Sequence, residues 1–149
     1  MTTYNIGVEE GNLDYLDEVV EYYDGGKGTV WEHINKSIDF TMANLGEHGF
    51  PLMLSSDWND MLYKVCREGK GESIWTSMQF GTVLPMIAEM ARLKGEDDKK
   101  FLDIYESQKK LVNTIAWDGE WFRRCITDNG TFIGSKSEPQ AKIWLNAQS

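Results

Sequence analysis

Cysteine and histidine are scarce in this chain: two of each, scattered. Cys66 and Cys125 lie far apart with no CxxC spacing, and His33 and His48 make no HxxxH pair, which excludes the ordinary zinc frames. Both cysteines read as neutral, reduced thiols. Positive charge is scarce as well, with 15 Lys and Arg against 24 Asp and Glu and a formal net charge of -9. No general basic field is available for nucleic acid or anionic lipid. Long apolar runs are missing too, none nearing the roughly 20 residues that a membrane span needs, and MTTYNIGVEEGN has neither the basic nor the apolar part of a signal peptide. The expectation is a cytoplasmic protein with no metal, no nucleic-acid partner and no membrane partner. What is present, 41% hydrophobic and 12% aromatic residues in a chain of 149, suffices for one globular core.

Along the chain, VEEGNLDYLDEVVEYYDGGKG mixes acids with glycines and reads as a turn-rich arm, with Leu13, Leu16 and Val19 or Val20 able to dock on a neighbour. At Thr29 the pattern changes. Thr29 and Glu32 stand at capping-box spacing, and Val30, Ile34, Ile38, Met42 and Leu45 recur at helical intervals, predicting a helix over Val30 to Asn44 closed by Gly46. Residues 47–71 follow no clean period. From Glu72, the apolar set Ile74, Trp75, Met78, Leu84, Ile87, Met90 and Leu93 predicts a long core-facing helix ending before Gly95, bent or interrupted at Gly81 and Pro85. Asp97 or Asp98 starts another, striped by Phe101, Ile104, Tyr105, Gln108, Leu111, Val112 and Ile115 and stopped at Trp117-Asp118-Gly119. Period two then runs from Trp121 to Thr127, and Asp128-Asn129-Gly130 turns the chain into Thr131-Phe132-Ile133, a β-hairpin. Both ends break off inside apparent elements, the look of an excerpt from a larger helical array.

The segment SSDWNDMLYKV carries the chemistry. Asp57 and Asp60 flank Trp58 and Asn59, and such a set suits a sugar: a carboxylic acid can protonate a glycosidic oxygen while an indole face covers the C–H face of a pyranose. The plainer alternative is that Asp57 or Asp60 caps a helix beginning near Met61 and Trp58 fills the core. A second possible site is Lys64, Arg67 and Lys70 with Gly69 and Gly71, a phosphate cradle in outline, but GKG in a charged loop is more often a solvated turn and lacks P-loop spacing. Glu72 reads as a carboxylate at a helix start, His48 as a satisfied loop residue, and Trp75, Met78, Met86 and Met90 as core. Trp117, Trp121 and Phe122 beside Asp118 and Glu120 fit either a sugar cleft or an aromatic corner.

Taken in order, HGFPLMLSSDWNDML, GKGESIW, WDGEWFRR, DNGTFIGS and KIWLNAQS resemble the catalytic domain of glycoside hydrolase family 94, the inverting glycoside phosphorylases. The resemblance runs from EVVEYYDG onward. It implies a mainly α fold, part of an (α/α)6 barrel of helical hairpins with one β-hairpin, so that residues 1–149 are a fragment of a single catalytic domain. It implies Asp60 as the general acid and Trp58 as the platform for the non-reducing sugar, leaving Asp57 and Asn59 to hold the turn. The partners implied are an oligosaccharide and inorganic phosphate as co-substrate, with no cofactor, and a homodimer for the full-length protein. Phosphate, already an anionic nucleophile, removes the need for the base carboxylate of an inverting hydrolase. The chain departs from the family pattern at Ser56, Met61, Tyr63 and Ala147, and the donor-gripping and phosphate-cradling blocks of the family are not within it. Two alternatives remain: a truncated helical module that binds a partner without catalysis, and an (α/α)6 hydrolase that uses water.

Overall fold

Helix α2 (Val30–Ala43) forms where the capping box predicts it. The Thr29 hydroxyl accepts from the Glu32 N–H at 3.1 Å, and the Glu32 carboxylate accepts from the Thr29 N–H at 2.7 Å, so two orphan donors at the helix start are satisfied reciprocally. Its inward stripe buries Trp31 and Ile38, with Ile34 and Met42 packed beside them. The computed structural model describes residues 1–55, 57–139 and 142–148, and of Asp60, Met61 and Tyr63 the backbone only. These residues form four helices and two small sheets, a mainly α architecture.

The opening segment is more ordered than its composition predicts. Helix α1 (Thr2–Glu10) ends at Gly11 in the left-handed region, and a hairpin pairs β1 (Val19–Glu21) with β2 (Lys27–Thr29). Glycine and β-branched residues make α1 a poor helix former by itself, so tertiary contacts hold it. Tyr4 donates its hydroxyl to Glu89 at 2.7 Å, and Gly7 is packed against Leu13. Of the four expected docking residues, Leu16 is fully buried and Leu13 packs on the same cluster, while Val19 and Val20 remain exposed on β1.

Helix α3 (Ile74–Leu93) starts later than Glu72 and ends, as expected, before Gly95; Ser73 caps it by accepting from the Thr76 N–H at 3.1 Å. It runs unbroken through Pro85, whose missing N–H is outweighed by burial of Ile74, Phe80, Leu84, Ile87, Ala88, Met90 and Ala91 along one face. Five residues then lead to α4 (Lys99–Leu111), which packs chiefly on α3 as a helical hairpin. The expected stripe on α4 is the buried one, anchored by Phe101 and Gln108. Gln108 is buried yet satisfied: Ser77 on α3 donates to its carbonyl at 2.5 Å, and its amide donates to the Gly49 carbonyl at 3.0 Å. The helix widens into a π turn over Val112–Ala116 and stops at Trp117, as its sequence predicts.

The second sheet positions the DWND turn. Its order is β3 (Glu72–Ser73), β4 (Cys125–Ile126), β5 (Phe132–Ile133), all antiparallel, with Ser73 opposite Cys125 and Cys125 opposite Ile133. The expected β-hairpin is thus present, but it pairs with an upstream segment. The HGFPLM segment runs along the other edge of β3, where Ser73 N–H donates to the Pro51 carbonyl at 2.8 Å and Met53 N–H donates to the Gly71 carbonyl at 2.9 Å. Extended pieces this short, joined by turns, leave no periodicity to read, which is why residues 47–71 look patternless.

Burial explains the cysteines. Cys66 and Cys125 pack with Met53 and Leu62 in a small core cluster. Burial pushes the Cys66 thiol up to about 11 and the Cys125 thiol up to about 12, so neither is a thiolate at neutral pH. Iodoacetamide at pH 7.5 should label both slowly in folded protein and rapidly in denaturant; fast labelling of the folded protein would contradict their burial.

Candidate active site

Asp57 is the buried root of the DWND turn. Its carboxylate accepts from the Asn59 N–H at 2.9 Å and from the Ser73 hydroxyl at 2.8 Å, and it forms an ion pair with Arg124 in which both side chains are 0% exposed. Arg124 also donates to the Ser73 hydroxyl at 3.3 Å. The turn is therefore tied to the cap of α3 and to the strand segment before Cys125. The expectation that Asp57 holds the turn is met, and an ion-paired carboxylate without solvent access is poorly suited to donate a proton to a substrate.

Trp58 points the other way. It is 81% exposed and leans on Trp75, ring centroids 6.1 Å apart and planes tilted by 43°. That removes the alternative in which Trp58 fills the core: the core here is Met53, Leu62, Cys66 and Cys125. An indole held in water beside a second, half-buried indole offers a flat apolar face of the kind a pyranose ring covers. Asp60, the expected general acid, begins the tight helical turn Asp60–Val65, and its side chain lies outside the described residues.

The GKG loop is not arranged as a phosphate cradle. Its backbone donors are taken by Asp128 at the hairpin turn, whose carboxylate accepts from the N–H groups of Glu68, Lys70 and Gly71 at 2.9, 2.9 and 3.0 Å. Burial works to raise the Asp128 carboxyl, but these three donors and the Lys70 charge outweigh it and hold it below its ordinary value. Gly71 is needed because a Cβ there would meet the Cys66 sulfur at 2.0 Å. A folded-state value below the unfolded one stabilises the fold above about pH 4 and stops doing so as pH falls through the folded value. The stability gap between wild type and Asp128→Asn should accordingly be constant from pH 5 to 7 and shrink below about pH 4; a gap that widens on acidification would refute the clamp.

Three further features are structural supports. Glu72 does not open a helix: it sits in β3, 2% exposed, accepting from the Phe50 N–H at 3.0 Å and from His48 Nδ1–H at 2.7 Å. Gly46 leaves room for it, since a Cβ there would lie 2.3 Å from the Glu72 side chain. His48 is thus the satisfied loop residue expected. The aromatic corner is tied together by its own contacts: Asp118 is buried and accepts from Arg123, Ser135 and the Lys136 N–H, Trp121 donates to the Gly134 carbonyl at 2.8 Å, and Trp117, itself exposed, meets Phe122 edge-on at 4.9 Å. Burial works to raise the Asp118 carboxyl, and those donors with the Arg123 charge hold it low. The segment 145–148 docks on this corner through Gln148, whose amide donates to the Phe122 carbonyl at 2.7 Å and accepts from its N–H at 3.0 Å. Among the described residues no cluster of His, Cys, Asp and Glu could hold a metal ion, and no helix is long and apolar enough to cross a membrane.

A sequence model of the glycosyl hydrolase 94 superfamily, catalytic domain, matches residues 1–149. The chain belongs to that family. Its relatives include solabiose phosphorylase of Paenibacillus borealis, 38% identical over 95% of the chain and 19% of the relative. Cellobionic acid phosphorylase of Neurospora crassa is 33% identical over 95% of the chain and 18% of the relative. N,N'-diacetylchitobiose phosphorylase of Vibrio furnissii is 32% identical over 99% and 18%. The family 94 chain thus spans about a fifth of the length of these three phosphorylases.

Proposed function

We propose that this chain carries the proton-donating and sugar-stacking part of a phosphorylase that cleaves β-linked oligosaccharides by inversion. The observation that carries the reading is Trp58, 81% exposed on a turn rooted by the buried Asp57–Arg124 pair and two residues before Asp60. In the reaction, a phosphate oxygen bonds to the anomeric carbon from the face opposite the leaving group. The glycosidic C–O bond breaks, and Asp60 delivers its proton to the departing oxygen, giving an α-sugar 1-phosphate and a shortened sugar. Trp58 covers the apolar face of the non-reducing sugar. The α3–α4 hairpin is one hairpin of an (α/α)6 barrel, completed in the parent protein by segments that grip the donor sugar and the phosphate. Effective catalysis needs all of those groups in register, so the chain by itself is inactive. The reading draws support from family membership, from the phosphorylase relatives and from the separation of roles between a buried Asp57 and an exposed Trp58. It is tested by incubating the full-length protein with β-linked disaccharides with and without inorganic phosphate. Cleavage that requires phosphate is the expected result, whereas equal cleavage in its absence would replace this reading with a hydrolase.

A further inference from the structure

Arg124 heads the fully buried side chains by volume among the described residues, and an ion pair in such a place is often no more stabilising than apolar residues of the same size. Its contacts suggest what else it does. The guanidinium pairs with Asp57, donates to Ser73 at 3.3 Å, and lies over the Trp75 ring at 5.3 Å from its centroid. Trp58 is joined to two of these three: it follows Asp57 in the chain, and it leans on Trp75. Arg124 therefore reaches Trp58 by two routes, one through the backbone and one through the neighbouring indole. A planar guanidinium can satisfy a carboxylate and a hydroxyl in its plane while offering its face to an aromatic ring; a lysine ammonium cannot do both.

We propose that Arg124 is a positioning residue that sets the sugar-facing orientation of Trp58 through Asp57 and Trp75. This rests on Trp58 being the sugar platform. Arg124 touches no substrate itself, and its effect is read as binding of the sugar more than as chemistry.

The test is steady-state phosphorolysis by the full-length protein with Arg124→Lys, Trp58→Ala and the double variant. Arg124→Lys should raise KM for the disaccharide about tenfold and lower kcat by no more than about twofold, within the roughly hundredfold that a misplacement of an ångström can cost. In the Trp58→Ala background the same change should add no further rise in KM. A residue that only stabilises the fold would reduce the active fraction, lowering apparent kcat with KM unchanged, and that result would overturn the proposal. Independent, multiplying effects of Arg124→Lys and Trp58→Ala would overturn it as well. Should Arg124→Lys fail to fold, Trp75→Leu removes the shared ring without unpairing Asp57, and it must raise KM in the wild-type background alone. Trp58→Ala separates the two readings: if that variant alone leaves KM unaltered, the platform assignment fails and the proposal with it, whereas a raised KM with Arg124→Lys silent sinks only the proposal.

Discussion

Asp60→Asn in the full-length protein lowers kcat for phosphorolysis of a β-linked disaccharide by about 10²- to 10⁴-fold, the usual contribution of a general acid. KM should change little, because the amide keeps the size of the carboxyl group and Trp58 still covers the sugar. A β-glycosyl fluoride separates proton donation from any other role. Fluoride leaves with little need of a proton, so Asp60→Asn should cleave it at a rate much nearer to wild type than its rate on the disaccharide. Comparable losses on both substrates would show that position 60 matters for something other than the proton. Asp57→Asn gives the contrast, since Asp57 is already committed to Arg124, Ser73 and the Asn59 N–H. Its loss should act through the fold and should not be relieved by the better leaving group.

The second large effect is on stability. Removing Asp57 leaves the Arg124 guanidinium buried without its counter-charge, and breaking a buried pair from one side costs about 3–5 kcal/mol. Asp57→Ala should therefore lower the thermal midpoint of the full-length protein markedly, and Arg124→Met should do the same by stranding the carboxylate. The joint variant Asp57→Leu, Arg124→Met should recover most of the loss, because two apolar side chains of similar volume need no partner. Equal losses for the joint and single variants would mean that the pair is held by more than charge. The Ser73 hydroxyl, which donates to Asp57 while accepting from Arg124 and from the Thr76 N–H, is the group that could do so.

How far the sequence announced this arrangement depended on the strength of local signals. A 3.6-residue stripe marked α2, α3 and α4 almost to their ends, and a capping box marked the start of α2, because such signals come from residues three and four apart. Helix α1 was hidden because its support comes from outside the helix: Tyr4 reaches Glu89, and Gly7 packs against Leu13. The β1–β2 hairpin had a signal in Asp24-Gly25-Gly26, where both glycines adopt positive φ, but the acids around it made the segment read as an arm. At the site, the motif and the family pattern marked Asp60 and Trp58 and left Asp57 to hold the turn, whereas the partners of Asp57 carried no local signal. Arg124 stands two residues from Phe122 and two from Ile126, at positions that share one face of an extended segment, and a buried cation there demands an acid; Asp57 supplies it from 67 residues away. Glu72 and Asp128 were hidden for the same reason, since each spends its carboxylate on backbone N–H groups of a loop distant in sequence. Such contacts leave no periodic trace.

The most direct test of the account is the anomeric configuration of the first product, read by ¹H and ³¹P NMR during the first minutes of reaction of the full-length protein with a β-linked disaccharide and phosphate. Attack by phosphate opposite a leaving group protonated by Asp60 predicts an α-sugar 1-phosphate with no free sugar from the donor side. A β-sugar 1-phosphate, or free donor sugar as the first product, would contradict it.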